Sequence, residues 1–371
     1  MEVRQIMGEN AMVRHAGKPV GGAHAQTKRA PLEDISNNVT TNKYAKVGEG
    51  AGNAAKQKRA VKSTTNVQPA VLPPATAMEL DDIKLELEVD IAHADDPQWV
   101  AEYVGDIFDH YFATERVHSA SPKYMDAQAD VRPEMRRILV DWLVEVHNMF
   151  KLKQETLFLA VNILDRYLSI RQIKRTRLQL IGSTALFVAC KYEEMYAPEV
   201  EDFVYVSDRA FTRDDVLLCE SEFCMALGFW FSIPTPFHFA QRFVQVASFD
   251  ERNALFASYL MELTLLEYSF VQYPPSVIAA SAVYLTTYFD GQPWADHLVQ
   301  HTRYVYQDMR TCVKEMYALL AAGKLSNSVQ KKYSSKSMKR VAQIGQEVVQ
   351  AQIRQHQEQE VAAAAAAATS Q

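Results

Sequence analysis

Cysteine is scarce, and its placement excludes two classes of protein. The 371 residues hold four cysteines, at 190, 219, 224 and 312, with no CxxC pair and no Cys/His cluster. That spacing speaks against a disulfide framework and against a structural zinc site, and a reducing compartment is expected. Long hydrophobic runs are missing too. The longest nearly apolar stretch, Val277 to Phe289, is shorter than the ~20 residues a membrane helix needs. Met1 to Val20 is polar and lacks the apolar segment of a secretory signal. The expectation is a soluble intracellular protein with no membrane partner. Thirteen glycines and fourteen prolines are too few for a collagen-like or proline-rich chain.

Catalytic motifs are also absent. The sequence has no Gly-rich phosphate loop, no GxSxG, no HExxH and no EF-hand loop. Its ten histidines are scattered. The adjacent carboxylates Glu193-Glu194 and Asp214-Asp215 sit in helical patterns, where neighbours diverge by about 100°. No active site, cofactor or metal is expected, and the chain reads as a non-enzyme.

What is present is an ordinary globular composition, 48% hydrophobic and 23% charged, with charge unevenly placed. Residues 1–78 carry 11 Lys/Arg against 5 Asp/Glu, so the first stretch is basic and the remainder acidic within a net charge of −6. With one aromatic, Tyr44, and few large aliphatics, residues 1–90 bury too little apolar surface to offset their ordering entropy. They read as a disordered tail. Its basic groups Lys56, Lys58, Arg59 and Lys62 fit contact with nucleic acid, an import signal or plain solvation. The acidic remainder lacks the basic face of a nucleic-acid-binding fold, so no such partner is expected. After Leu325 comes a Ser/Lys stretch, a Gln-rich run and Ala362 to Ala368. No apolar stripe continues there, and residues 326–371 read as a low-complexity tail, frayed or disordered.

Between the tails the pattern is helical throughout. Asp95-Asp96-Pro97 is a start signal, followed by apolar residues at helical spacing from Trp99 through Tyr103, Ile107 and Tyr111. The stretch Ser119 to Arg132 breaks the pattern. Pro133 starts a helix to about Lys151 that is apolar nearly all round, which predicts a central helix. Further helices are expected at about 154–169, 177–192, 200–206 and 212–227, with Thr212 and Asp215 as a capping box and Gly228 as a C-cap. Ile233-Pro234-Thr235-Pro236 cannot be helix interior. It divides residues 91–232 from a second domain, 233–325, with helices at about 236–247, 251–268, 274–289, 294–301 and 307–322. Five helices in each half suggest a duplication, and the fold class is all-α.

The run Met135-Arg136-Arg137-Ile138-Leu139-Val140-Asp141-Trp142-Leu143-Val144-Glu145-Val146, with Leu159 to Ser169, Leu178 to Gly182, Cys190 to Glu194 and Pro198 to Val200, closely resembles the cyclin box. Order and spacing match from about Tyr103 to Leu320. The resemblance implies two five-helix repeats with a helix in front. Lys191-Tyr192-Glu193-Glu194-Met195-Tyr196 looks like B-type mitotic cyclins, and Arg29 to Asn37 resembles their destruction box. Phe239-Ala240-Gln241-Arg242-Phe243 lacks the paired arginines common in B-types and is closer to an A-type pattern. Ala197 and Trp230 stand where proline and a polar residue are usual. The whole resembles a divergent B-type cyclin, with an A-type-like S/G2 cyclin as the alternative.

Several roles follow from the resemblance. Lys191 and Glu220 match the pair that binds a cyclin-dependent kinase around its mobile helix. Phe229 matches an apolar kinase contact. Tyr103, Ile107 and Tyr111 fit a kinase-buttressing helix or core packing equally. Arg136 and Asp165 match a structural ion pair. Met135, Ile138, Leu139 and Trp142 read as core on spacing alone. In cyclins these positions, with Leu178, Gln179 and Glu145, form a docking groove for Arg-x-Leu substrate motifs. Arg29, Leu32, Ile35 and Asn37 match the destruction box, read by a ubiquitin ligase of the anaphase-promoting type, with Lys43, Lys46, Lys56, Lys58 and Lys62 in reach. Ser121-Pro122-Lys123 fits either a helix breaker or a proline-directed kinase site, and Thr235-Pro236 a hinge. The expected role is a mitotic kinase activator of nucleus and cytoplasm. A transcription-type cyclin fold and a helical scaffold without a kinase are the other readings.

Overall fold

A computed structural model describes residues 90–91, 94–95, 100–322, 327–351 and 354. The destruction-box-like segment, with Arg29, Leu32, Ile35 and Asn37, and the lysines after it lie outside the described residues. Among the described residues the secondary structure is helical, with no strand.

Helix α1 spans Val104–Thr114. It does not run unbroken from Pro97. Val100 takes the left-handed conformation (φ 54°), and a 3-10 turn, Ala101–Tyr103, precedes the helix. The first repeat follows: α2 Pro133–Phe150, α3 Gln154–Ile170, α4 Leu178–Glu193, α5 Val200–Val206 and α6 Arg213–Leu227. Their ends obey local chemistry. Pro133 sits in the first turn of α2, where its missing N–H is harmless. Thr212 and Asp215 close a reciprocal capping box at α6, and Gly228 ends that helix at φ 58°.

The deepest helix of this repeat is α4 rather than α2. Leu180 through Cys190 are all buried, whereas α2 keeps one half-exposed side. Small residues explain the difference. Gly182, Ser183, Thr184, Ala185 and Ala189 let neighbours close on α4 from every side. At Gly182 a Cβ would lie 2.7 Å from Leu139 Cδ1 of α2, so only glycine admits that approach.

The second repeat comprises α7 Pro236–Val246, α8 Glu251–Leu266, α9 Pro275–Phe289, α10 Asp296–Thr302 and α11 Tyr306–Ala322. Its third helix repeats the device. In α9, Ser276 through Val283 are all buried, and most are Ser or Ala. Two helices of matching order and composition at the centre of two five-helix series are the structural form of the duplication.

Helix α1 joins the second repeat. Phe108, Tyr111 and Phe112 place their rings 6.2, 6.0 and 5.0 Å from that of Phe239. Buried Glu115 accepts from the Ser276 amide at 2.9 Å and the Ser276 hydroxyl at 2.8 Å, capping the start of α9.

Residues 327–351 depart from the expected low-complexity tail. Helix α12, Ser328–Tyr333, and a helix over 341–351 pack on the body. Val329, Tyr333, Val341, Ala342 and Val349 are buried. Val341, Ile344, Val348 and Val349 recur at helical spacing, a short apolar stripe hidden among the Ser/Lys, Gln and Ala runs around it. Burial of the segment relies on a polar tie. Glu262 of α8, fully buried, accepts from Lys332 Nζ at 2.7 and 2.9 Å, from the Tyr333 hydroxyl at 2.8 Å and from Gln154 Nε2 at 3.0 Å.

Three histidines make the fold acid-sensitive. Burial lowers the pKa of His147, with Lys332 adding to the effect. Burial lowers that of His238, and burial followed by Arg242 lowers that of His301. Each ring therefore takes up a proton less readily in the folded chain than in the unfolded one. Their stabilisation is therefore complete above about pH 6.5 and is lost as pH falls below it. The melting temperature should drop between pH 7 and 5.5, and His147→Gln should flatten that drop. A pH profile unchanged by His147→Gln would show that this ring contributes nothing.

Candidate functional site

The end of α4 is where the buried helix surfaces. Cys190 is fully buried, and the next residue, Lys191, is exposed. Lys191 Nζ donates to Glu220 Oε1 of α6 and stands 4.5 Å from the Phe187 ring centroid. Partial burial pulls this ammonium below the ordinary lysine range. The Lys191 side chain is 44% exposed and that of Glu220 18%. The ammonium keeps two further donors and the carboxylate a second oxygen, so the pair can bind each other and still meet peptide groups from outside.

Past the end of α6 the chain stores strain. Phe229 follows Gly228 with φ 61°, a conformation that costs about 1–2 kcal/mol for a residue with a Cβ. Its amide donates to the Cys224 carbonyl at 3.0 Å. The result is an aromatic side chain 70% exposed, held away from any core by a fixed turn. Tyr192, Met195 and Tyr196 are also exposed, and the Tyr192 ring lies 6.4 Å from that of Phe231. Tyr103 is exposed and Ile107 half-buried, available on α1. Tyr111 packs inward, 5.6 Å from the His238 ring. Its phenol pKa is raised by burial, then by Glu193 and Tyr192. Lys191 and Glu220 are thus paired across α4 and α6, and Phe229 stands exposed two residues past the end of α6. The sequence places Met195 and Tyr196 in the B-type-like run but assigns them no contact of their own. Two large apolar residues just past the end of a buried helix were the available signal.

Arg136 and Asp165 form the expected buried pair. The guanidinium donates through Nε to Oδ1 at 2.6 Å and through a terminal nitrogen to Oδ2 at 2.7 Å. The Tyr124 hydroxyl adds a bond to Asp165 at 2.8 Å, and Arg136 reaches the Leu265 carbonyl of the second repeat at 2.9 Å. Burial opposes the Arg136 charge, but Asp165 outweighs it and the pKa rises. This pair ties the 119–132 linker, α2, α3 and α8 together.

The groove residues divide into two layers. Met135, Ile138, Trp142 and Gln179 are half-buried and Glu145 is exposed, so these side chains are open to solvent. Leu139 and Leu178 are not groove walls. They are 0% and 3% exposed, Leu139 because it fills the space above Gly182. They are core residues lying under the surface, and spacing alone could not separate them from their neighbours on the stripe.

Ser121 is exposed, and its amide donates to Ser169 Oγ at 3.0 Å. Thr235 is buried at the start of α7, where its amide donates to His238 Nδ1 at 3.2 Å, a helix-start role. The unusual Trp230 stacks on His118 at 4.8 Å, and its carbonyl accepts from Arg166 at 2.8 Å. Among the described residues no His/Cys/Asp/Glu group could hold a metal ion, and no helix is long and apolar enough to cross a membrane.

Comparison with known proteins places these faces in context. The family model for the cyclin N-terminal domain matches residues 106–232, and that for the cyclin C-terminal domain matches 234–347. The join falls at the Pro234–Pro236 break. G2/mitotic-specific cyclin-B2 of Oryzias latipes is 37% identical over 358 residues, covering 90% of this chain and 92% of that protein. Cyclin-B2-2 of Arabidopsis thaliana is 41% identical over 273 residues, covering 71% and 63%. Among solved structures, a viral cyclin from herpesvirus saimiri shares the fold, with a TM-score of 0.51 at 21% identity, over 55% of this chain and 92% of that one. Both halves match, and so does nearly the full length of a relative: the chain belongs to the cyclin family, with B-type cyclins as its relatives.

Proposed function

We propose that the protein is a regulatory subunit, not itself an enzyme, that binds and activates a cyclin-dependent protein kinase for passage from G2 into mitosis. One observation carries this reading. An accessible Lys191–Glu220 pair links α4 to α6, and two residues past the end of α6 the backbone holds the Phe229 aromatic in solvent at a conformational cost. Strain of that kind persists where the surrounding structure fixes it for use. The pair is anchored by α4, whose burial makes that side of it rigid. A rigid surface shifts a mobile kinase helix toward the conformation it fits, bringing the kinase's own Lys–Glu pair together. ATP and magnesium then belong to the kinase.

The finer parts of the reading follow from the same residues. Met135, Ile138 and Trp142 offer an apolar groove for the leucine of an Arg-x-Leu substrate, and Glu145 offers a carboxylate for its arginine. Arg29, Leu32, Ile35 and Asn37 serve as a destruction box for a ubiquitin ligase of the anaphase-promoting type. The protein works in nucleus and cytoplasm, with the basic residues of the first 78 positions favouring import.

The test is a kinase assay with full-length protein, a purified cyclin-dependent kinase and a histone substrate. Wild type should raise phosphorylation strongly. Lys191→Ala/Glu220→Ala should lose at least ten-fold in activation while keeping the wild-type melting temperature. Equal activation by the folded double variant would reject this face as the kinase-binding surface. A wild type that activates none of a panel of such kinases would leave the scaffold reading.

A further inference from the structure

Helix α12 lies along α2 and engages both carboxylates next to the groove. The Ser328 amide donates to Asp141 Oδ1 at 2.7 Å. One turn on, Lys331 Nζ reaches Glu145 Oε1 at 3.5 Å. Asp141 and Glu145 are four residues apart and share a side of α2, next to Ile138 and Trp142. The neighbouring Lys332 is anchored at buried Glu262. That anchor fixes the rotation of α12 and keeps Lys331 turned toward α2.

We infer that Lys331 is a built-in competitor for the cationic residue of a docking peptide. The inference rests on the docking reading given above. A peptide that brings a positive charge to Glu145 meets a carboxylate already paired within the chain, so it must displace Lys331 or share the site with it. The competition is soft. Both side chains of the pair are largely exposed, at 65% and 51%. Exposed ion pairs are worth about 0.2–1 kcal/mol, which is roughly a 1.4–5-fold change in affinity, and salt screens them.

A selectivity follows. A peptide lysine would exchange one point charge for another and gain little. An arginine can grip both oxygens of Glu145 with its planar fork and outcompete Lys331. Displacing Lys331 costs either peptide the same factor, so this preference is set by the arginine fork, while Lys331 sets how weakly both cationic peptides bind. Asp141 contributes less, since the α12 backbone uses one of its oxygens.

Fluorescence anisotropy on the full chain tests this with three labelled peptides, carrying Arg-x-Leu, Lys-x-Leu and Ala-x-Leu. Lys331→Ala should tighten the Arg and Lys peptides about 2–5-fold, with Lys331→Glu tightening them further, and leave the Ala peptide unchanged. The gain should vanish in a Glu145→Gln background and at high salt. An Arg peptide weakened by Glu145→Gln but indifferent to Lys331→Ala would overturn the competition and leave the groove standing. If wild type binds the Arg and Ala peptides equally and Glu145→Gln changes nothing, the docking reading fails and takes this inference with it. Thermal melts confirm folding, which these exposed positions should not disturb.

Discussion

Asp165→Ala should cost about 3–5 kcal/mol, a large share of the 5–15 kcal/mol that holds a typical domain together. The loss does not come from one contact. Asp165 receives two bonds from Arg136 and one from Tyr124, all in a region closed to water. Removing the carboxylate leaves a guanidinium inside the protein without its counter-charge, with the Leu265 carbonyl still as an acceptor. It also releases the Tyr124 hydroxyl, which fixes the linker to α3. The urea midpoint should fall steeply. Arg136→Met/Asp165→Leu should recover much of the loss, because two packed apolar side chains leave no orphaned charge. A single variant within about 1 kcal/mol of wild type would contradict the buried-charge explanation.

Glu262→Ala should be the second large effect, again about 3–5 kcal/mol, with a local signature. Glu262 is the shared acceptor for Lys332, Tyr333 and Gln154. Without it a lysine only 9% exposed has lost its counter-charge, and the least costly escape is for α12 to leave the body. Residues 327–351 should then become sensitive to trypsin at Lys331, Lys332, Lys336, Lys339 and Arg340, while the two repeats are cut later. Asp165→Ala should instead loosen the linker after α1. Continued protection of 327–351 in Glu262→Ala would show that the buried valines alone hold the segment.

These two sites differ in how far the sequence revealed them. Arg136 and Asp165 sit in strongly patterned helices, two charges on otherwise apolar faces, and their pairing was readable. Lys332 and Tyr333 lie in a polar stretch, 70 residues beyond Glu262 in the chain, and nothing local links them. Helix ends were legible where a cap is encoded nearby, as at Thr212 with Asp215 and at Pro133. The start of α1 was not, because the left-handed turn at Val100 is set by tertiary context rather than by a glycine. The apolar stripe of α2 shows the same limit. Met135, Ile138, Leu139 and Trp142 share one helical face, but only the approach of Gly182 decides that Leu139 goes under and the others stay at the surface. The strain at Phe229 is a backbone property that residue identity does not announce.

The most direct measurement is hydrogen exchange on the full-length protein, free and bound to a cyclin-dependent kinase. Peptides covering 188–196 and 216–231, with the start of α1 around Tyr103 and Ile107, should gain protection in the complex. Those covering α9 to α11 should stay unchanged. Protection confined to the second repeat, with the Lys191–Glu220 pair and Phe229 exchanging as in the free chain, would contradict the assignment of kinase binding to these residues.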